Sequence, residues 1–127
     1  MELKSLGAMT LFAEDLAATA AFYRDALGLR AIYEDANSVV FDFGNTVVNV
    51  LEASEAPSLV EPAVVAPRDT GARLLLSIWV DDVDAACAEL ARRGVDLVNG
   101  PIDRPWGKRT ASFADPAGNL WELAQDI

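Results

Sequence analysis

The chain repeats itself, and that repeat limits what it can fold into more than any other feature. Leu11-Phe12-Ala13-Glu14-Asp15-Leu16 is echoed by Ile78-Trp79-Val80-Asp81-Asp82-Val83, with Asp15 and Asp82 in matching places. In each copy an alternating apolar segment ends at an acidic residue that can cap a helix N-terminus and complement its dipole. The spacing then predicts a helix of about three turns. Leu16, Ala20, Tyr23 and Leu27 run at helical intervals up to Gly28, and Val83, Cys87, Leu90 and Ala91 run up to Gly94.

Apolar, β-branched stretches follow each helix. They are Ile32-Tyr33, Val39 to Phe43 and Thr46 to Leu51 in the first copy, and Val95 to Val98, Thr110 to Phe113 and Leu120 to Leu123 in the second. Turn signals, Gly44-Asn45 and Pro116-Ala117-Gly118-Asn119, precede the last strand of each. The unit is therefore βαβββ. One helix covers only one face of a four-stranded sheet, so the other face stays open until another copy packs beside it. The expected fold is α+β: two tandem βαβββ modules forming a curved mixed sheet around a central cavity.

The chain's 127 residues fit a single domain, 1–127, which buries roughly two-thirds of its unfolded surface. Module one is expected at about 1–52 and module two at 72–127. Between them, 53–71 carries Pro57, Pro62 and Pro67 without periodicity and reads as a semi-stiff linker. Hydrophobic residues make up 52% of the chain, which excludes disorder. No apolar run approaches the roughly 20 residues of a membrane span, and the start carries no basic-then-apolar signal, so a cytoplasmic protein with no membrane partner is expected.

Several chemistries close off early. There is no histidine, the usual transition-metal ligand and near-neutral base, which removes zincin-type sites, histidine-carboxylate iron sites and serine-histidine triads. Cys87 is the only cysteine, so neither an intrachain disulfide nor a thiolate cluster can form, and its apolar helical neighbours make it a buried structural thiol. The net charge of −10 repels phosphate backbones and excludes nucleic acid as a partner. It serves solubility, or draws in a cationic small molecule.

Five stretches together resemble the vicinal oxygen chelate superfamily, which includes glyoxalase I, extradiol dioxygenases, fosfomycin-resistance enzymes and bleomycin-resistance proteins. They are Glu14-Asp15-Leu16, Phe22 to Gly28, Val80-Asp81-Asp82-Val83, Pro105-Trp106-Gly107, and the closing Asp115-Pro116-Ala117-Gly118-Asn119-Leu120-Trp121-Glu122-Leu123. The resemblance implies four cavity-facing positions where the enzymes of the family hold a divalent metal. Here those positions fall on Ala8, Asn49, Leu75 and Glu122. Only Glu122 is an anionic ligand, so no metal and no other cofactor is expected, as in metal-free, bleomycin-resistance-like members.

The same resemblance implies a small-molecule-binding protein that sequesters an aromatic or cationic compound such as an antibiotic. The alternative is a metal-free lyase or isomerase with Glu122 as acid or base and Asn49, Ser77 or Tyr33 polarising a carbonyl. A module with no small ligand at all remains a further alternative. Strand alternation puts Leu74, Leu76, Ile78 and Val80 on one face and Leu75, Ser77 and Trp79 on the other. The repeat places Thr10 and Phe12 where Ser77 and Trp79 stand, so Phe12 and Trp79 are expected to face each other. Expected ligand contacts are Phe12, Asn49, Ser77, Trp79, Trp106 and Glu122.

Each has a plainer reading. Trp79 on an apolar strand fits a core as well as a ligand platform, and Trp106 is a loop residue. Glu122 is a ligand contact, a family remnant, or half of an ion pair with Lys108 or Arg109. Trp121 shares a strand face with Leu123 and belongs to the core, while Thr110 and Ser112 are ordinary strand residues or orienting donors. A homodimer is expected, because related two-module chains complete cavities or bury spare sheet edges that way.

Overall fold

Asp15 and Asp82 each open a helix, as the repeat predicts. In the computed structural model, which describes residues 1–127, Asp15 Oδ1 accepts from the Ala18 N–H and Asp82 Oδ1 from the Ala85 N–H, each at 3.0 Å. Each bond satisfies a donor that the first helical turn leaves without a partner. The helices are α1 (Leu16–Asp25) and α3 (Val83–Arg92). The chain forms two compact units, Met1–Ala66 and Pro67–Ile127.

The first unit contains β1 (Ala8–Ala13), β2 (Arg30–Glu34), β3 (Ser38–Asp42) and β4 (Val47–Glu52) in the order β1-β4-β3-β2. The second contains β5 (Leu75–Trp79), β6 (Leu97–Arg104), β7 (Lys108–Ala114) and β8 (Leu120–Asp126) in the order β5-β8-β7-β6. In both, the first strand pairs parallel with the last and the remaining pairs are antiparallel. Two four-stranded mixed sheets with few helices make an α+β fold of two tandem βαβββ modules. The connecting stretch is not featureless: it winds into 3-10 turns at Ala53–Glu55 and Arg68–Thr70 and the short α2 (Pro57–Val60). Pro57 suits a first helical position because its missing N–H would have no partner there.

Alternation along the strands decides which side chains enter each core. In module one, Leu11, Val39, Phe41, Val48 and Val50 are buried, and the Tyr23 ring of α1 lies 5.6 Å from that of Phe41. In module two, Ala111, Phe113, Trp121 and Leu123 are buried on the face that carries Gln125, whose side chain accepts from the Val83 N–H at the start of α3. Trp121 is a core residue as expected; burying a side chain of this kind contributes roughly 1.5–3 kcal/mol. Cys87 is buried, and desolvation raises its thiol pKa, which suits a structural role.

The closing Asp115 to Asn119 motif is a hydrogen-bonded turn. Asp115 is buried; its Oδ1 accepts from the Ala117 and Asn119 N–H groups and its Oδ2 from Asn119 Nδ2, all at 2.9 Å. This turn fixes where β8 begins and hence the register that carries Glu122. Strand β6 runs on to Arg104, well past the apolar stretch ending at Val98, with register shifts against β7 on both sides of Asn99. Gly100 makes the shift feasible. Its φ is +85°, and a Cβ there would lie 2.4 Å from the Thr110 carbonyl oxygen.

Candidate functional site

The two modules repeat one side-chain pair on the sheet face turned away from the helix. In module one Thr10 on β1 stands opposite Asn49 on β4, and in module two Ser77 on β5 stands opposite Glu122 on β8. Ser77 Oγ donates to Glu122 Oε1 at 2.9 Å. Asn49 Nδ2 lies 3.5 Å from Thr10 Oγ1, a long contact, and Asn49 Oδ1 is buried with no hydrogen-bond partner. That oxygen is a buried acceptor left without a donor.

In module two the register extends the row to Ser112 on β7 and Asn99 on β6. The next row holds Trp79, Ala124, Thr110 and Ile102. Trp79 is 71% exposed and Trp106, at the β6–β7 turn, 66%, so neither indole is a core residue. Lys108 Nζ sits 4.8 Å from the centre of the Trp79 ring and the Arg104 guanidinium 6.0 Å from that of Trp106. Arg104 Nε donates to Thr110 Oγ1 at 2.9 Å and one Nη faces Asn99 Oδ1 at 3.4 Å. Thr110 and Ser112 are both buried, so Thr110 serves to anchor an arginine, a partner not foreseen from the sequence.

One expectation needs correction. Neither Lys108 nor Arg109 pairs with Glu122: Lys108 bonds Asp126, and Arg109 bonds Asp84 at 3.0 Å and Asp103 at 2.9 Å. Strand alternation turns Arg109 to the α3 side, and Lys108 stands opposite Asp126 in the register, away from Glu122. Tyr33 donates to Asp35 Oδ2 at 2.8 Å, so its hydroxyl proton is already engaged. That bond raises the tyrosine pKa, while Asp35, which also accepts from the Asn37 and Ser38 N–H groups, is held below the ordinary aspartate range.

Phe12 is half-buried on β1, across from Leu51 on β4. A groove of about 600 Å³ in module one, which the sequence reading missed, lies among the β1–α1 junction, the β2–β3 turn and the end of β4. Three of its five carboxylates have structural work: Asp15 caps α1, Glu34 pairs with Arg24 at 2.7 Å and Asp35 holds its turn. No stretch of alternating or helical sequence points to this groove, because its walls come from separate loops.

The side chains at the four inferred coordination positions match a divalent metal poorly. Ala8 and Leu75 have no donor atom, Asn49 offers one amide oxygen, and Glu122 is the sole carboxylate, already accepting from Ser77. Nowhere do three or more Cys, Asp or Glu side chains gather in a way that could hold an ion.

A family model described as Glyoxalase/Bleomycin resistance protein/Dioxygenase superfamily matches residues 5–123. The chain belongs to this superfamily. Among its relatives is the uncharacterized protein YraH of Bacillus subtilis (strain 168), 32% identical over 117 residues, which covers 89% of this chain and 91% of the relative. A glyoxalase/bleomycin resistance protein/dioxygenase from Nocardioides has a similar structure, with a TM-score of 0.86 and 22% identity over 100% of this chain and 86% of that one. A lactoylglutathione lyase from Agrobacterium tumefaciens gives 0.78 at 23% identity, over 98% and 96%. At such identities the superfamily likeness speaks for the fold and leaves the chemistry to the side chains.

Proposed function

We propose that this superfamily member is a metal-independent protein, one domain over 1–127, that sequesters a small aromatic or cationic compound such as an antibiotic. Phe12, Asn49, Ser77, Trp79, Trp106 and Glu122 are its ligand contacts. The observation that carries the reading is the pair of exposed indoles, Trp79 and Trp106, on the module that also presents the Ser77–Glu122 pair. Large flat apolar groups with a few fixed polar atoms suit small-molecule recognition. The poor donor set at Ala8, Asn49, Leu75 and Glu122 supports binding without a metal.

The test is elemental analysis of protein purified without chelator, followed by thermal shift with aromatic compounds, with and without chelator. Stabilisation that chelator leaves unchanged is expected; at a hundredfold excess over Kd it amounts to roughly 2.7 kcal/mol. Stoichiometric metal, or loss of the shift on chelation, overturns metal independence. A second reading is a metal-free lyase or isomerase with Glu122 as acid or base, favoured by the 2.9 Å Ser77–Glu122 bond. Slow consumption of a bound compound that stops in Glu122→Gln would select it.

A further inference from the structure

Strands carry four cationic side chains, and one of them stands apart. Arg30 pairs with Asp42, Lys108 with Asp126 and Arg109 with Asp84 and Asp103. Arg104 bonds only the neutral oxygens of Thr110 and Asn99 and stacks near Trp106. In a chain with twenty acidic residues against ten basic ones, a guanidinium left without a carboxylate runs against what the composition offers. Its two bonds occupy a minority of the five donors of the fork and fix the plane in which the others lie.

The surroundings of that fork are aromatic. Arg104 is half-buried, so part of its hydration is already lost, and the exposed ring of Trp106 lies near it at the β6–β7 turn. Glu122 is on β8, two strands from β6 and four residues along from the row that Arg104 shares with Lys108 and Asp126, and is engaged with Ser77, while Asp126 is taken by Lys108. Both indoles already have a cation of the chain near their faces. A cationic ligand would meet Lys108 and Arg104 there, whereas an anionic one would complete a missing pair.

We infer that module two binds an aromatic carboxylate, its carboxyl group taken by the free edge of the Arg104 fork and its ring by the exposed indole of Trp106. The inference rests on the aromatic-binding reading above and narrows it by charge. A planar carboxylate matches a guanidinium fork with two parallel hydrogen bonds, a geometry that an ammonium group does not reproduce.

Calorimetric titration of the full chain with three probes of one shape, 2-naphthoate, 2-naphthamide and 2-naphthylmethylammonium, tests this at constant moderate salt. We expect 2-naphthoate to bind about tenfold or more tighter than the amide, the ammonium to bind weakest, and the Trp106 indole N–H signal to shift on binding. Arg104→Gln should abolish the preference for 2-naphthoate over the amide, with Arg104→Lys restoring part of it and an unchanged amide NMR fingerprint establishing that both variants fold. Equal binding of all three probes, tightest binding of the ammonium, or a preference that survives in Arg104→Gln overturns the carboxylate inference while aromatic binding stands. If no probe binds, both readings fall.

Discussion

Asp35 shows how one side chain can hold a turn and tune a neighbour. Its carboxylate accepts from the Asn37 and Ser38 backbone and from the Tyr33 hydroxyl, and the Asn37 bond does most to lower its pKa, followed by that from Tyr33. A carboxyl depressed on folding contributes stability that is complete above its unfolded pKa and is lost as pH falls through the folded value. The contribution is small because the group is exposed. Carboxyl-carbon NMR titration should find Asp35 below the ordinary aspartate range, and Tyr33→Phe should move it upward. An unmoved titration in that variant would contradict the hydrogen bond. Tyr33 behaves in the opposite sense: its raised pKa means its share is present below the ordinary tyrosine value and lost as pH rises through the folded one.

Among the elements, β6 explains why the site was only partly legible in the sequence. The repeat, the helix starts and the parity of Ser77, Trp79, Trp121 and Glu122 could be read because strands alternate strictly and the parallel β5–β8 pair keeps its register throughout. Counting fails along β6, where register shifts around Asn99 break the two-residue period, so nothing in the sequence told which face Arg104 would take. The same counting, applied to Lys108 and Arg109, would have separated their faces. Gly100 is the residue on which this arrangement turns. Gly100→Ala should destabilise module two by roughly 3 kcal/mol, from strain at positive φ and the clash with the Thr110 carbonyl. Chemical denaturation measures the loss, and a wild-type midpoint would refute the close approach.

At the level of the whole molecule, the sheet edges differ in how they are protected. The β2 edge carries Arg30, Glu34 and an irregular register, and the β6 edge carries Pro101, Asp103 and Arg104. Charge, proline and bulges of this kind discourage pairing with other strands. Strands β1 and β5, the edges opposite, hold only Ala, Met, Thr, Leu, Phe, Ser, Ile and Trp. This asymmetry is in keeping with the homodimer expected from the sequence, for which light scattering should give twice the chain's mass, and a monomer at high concentration would count against it. The parallel β1–β4 pair also carries a consequence for synthesis. Thr10 meets Asn49 across a separation of 39 residues, so β1 leaves the ribosome first yet gains its only sheet neighbour last. At about 5–20 residues per second, this apolar strand waits roughly 2–8 s in a growing polypeptide before it has anything to pair with, an interval in which a chaperone would be its natural companion.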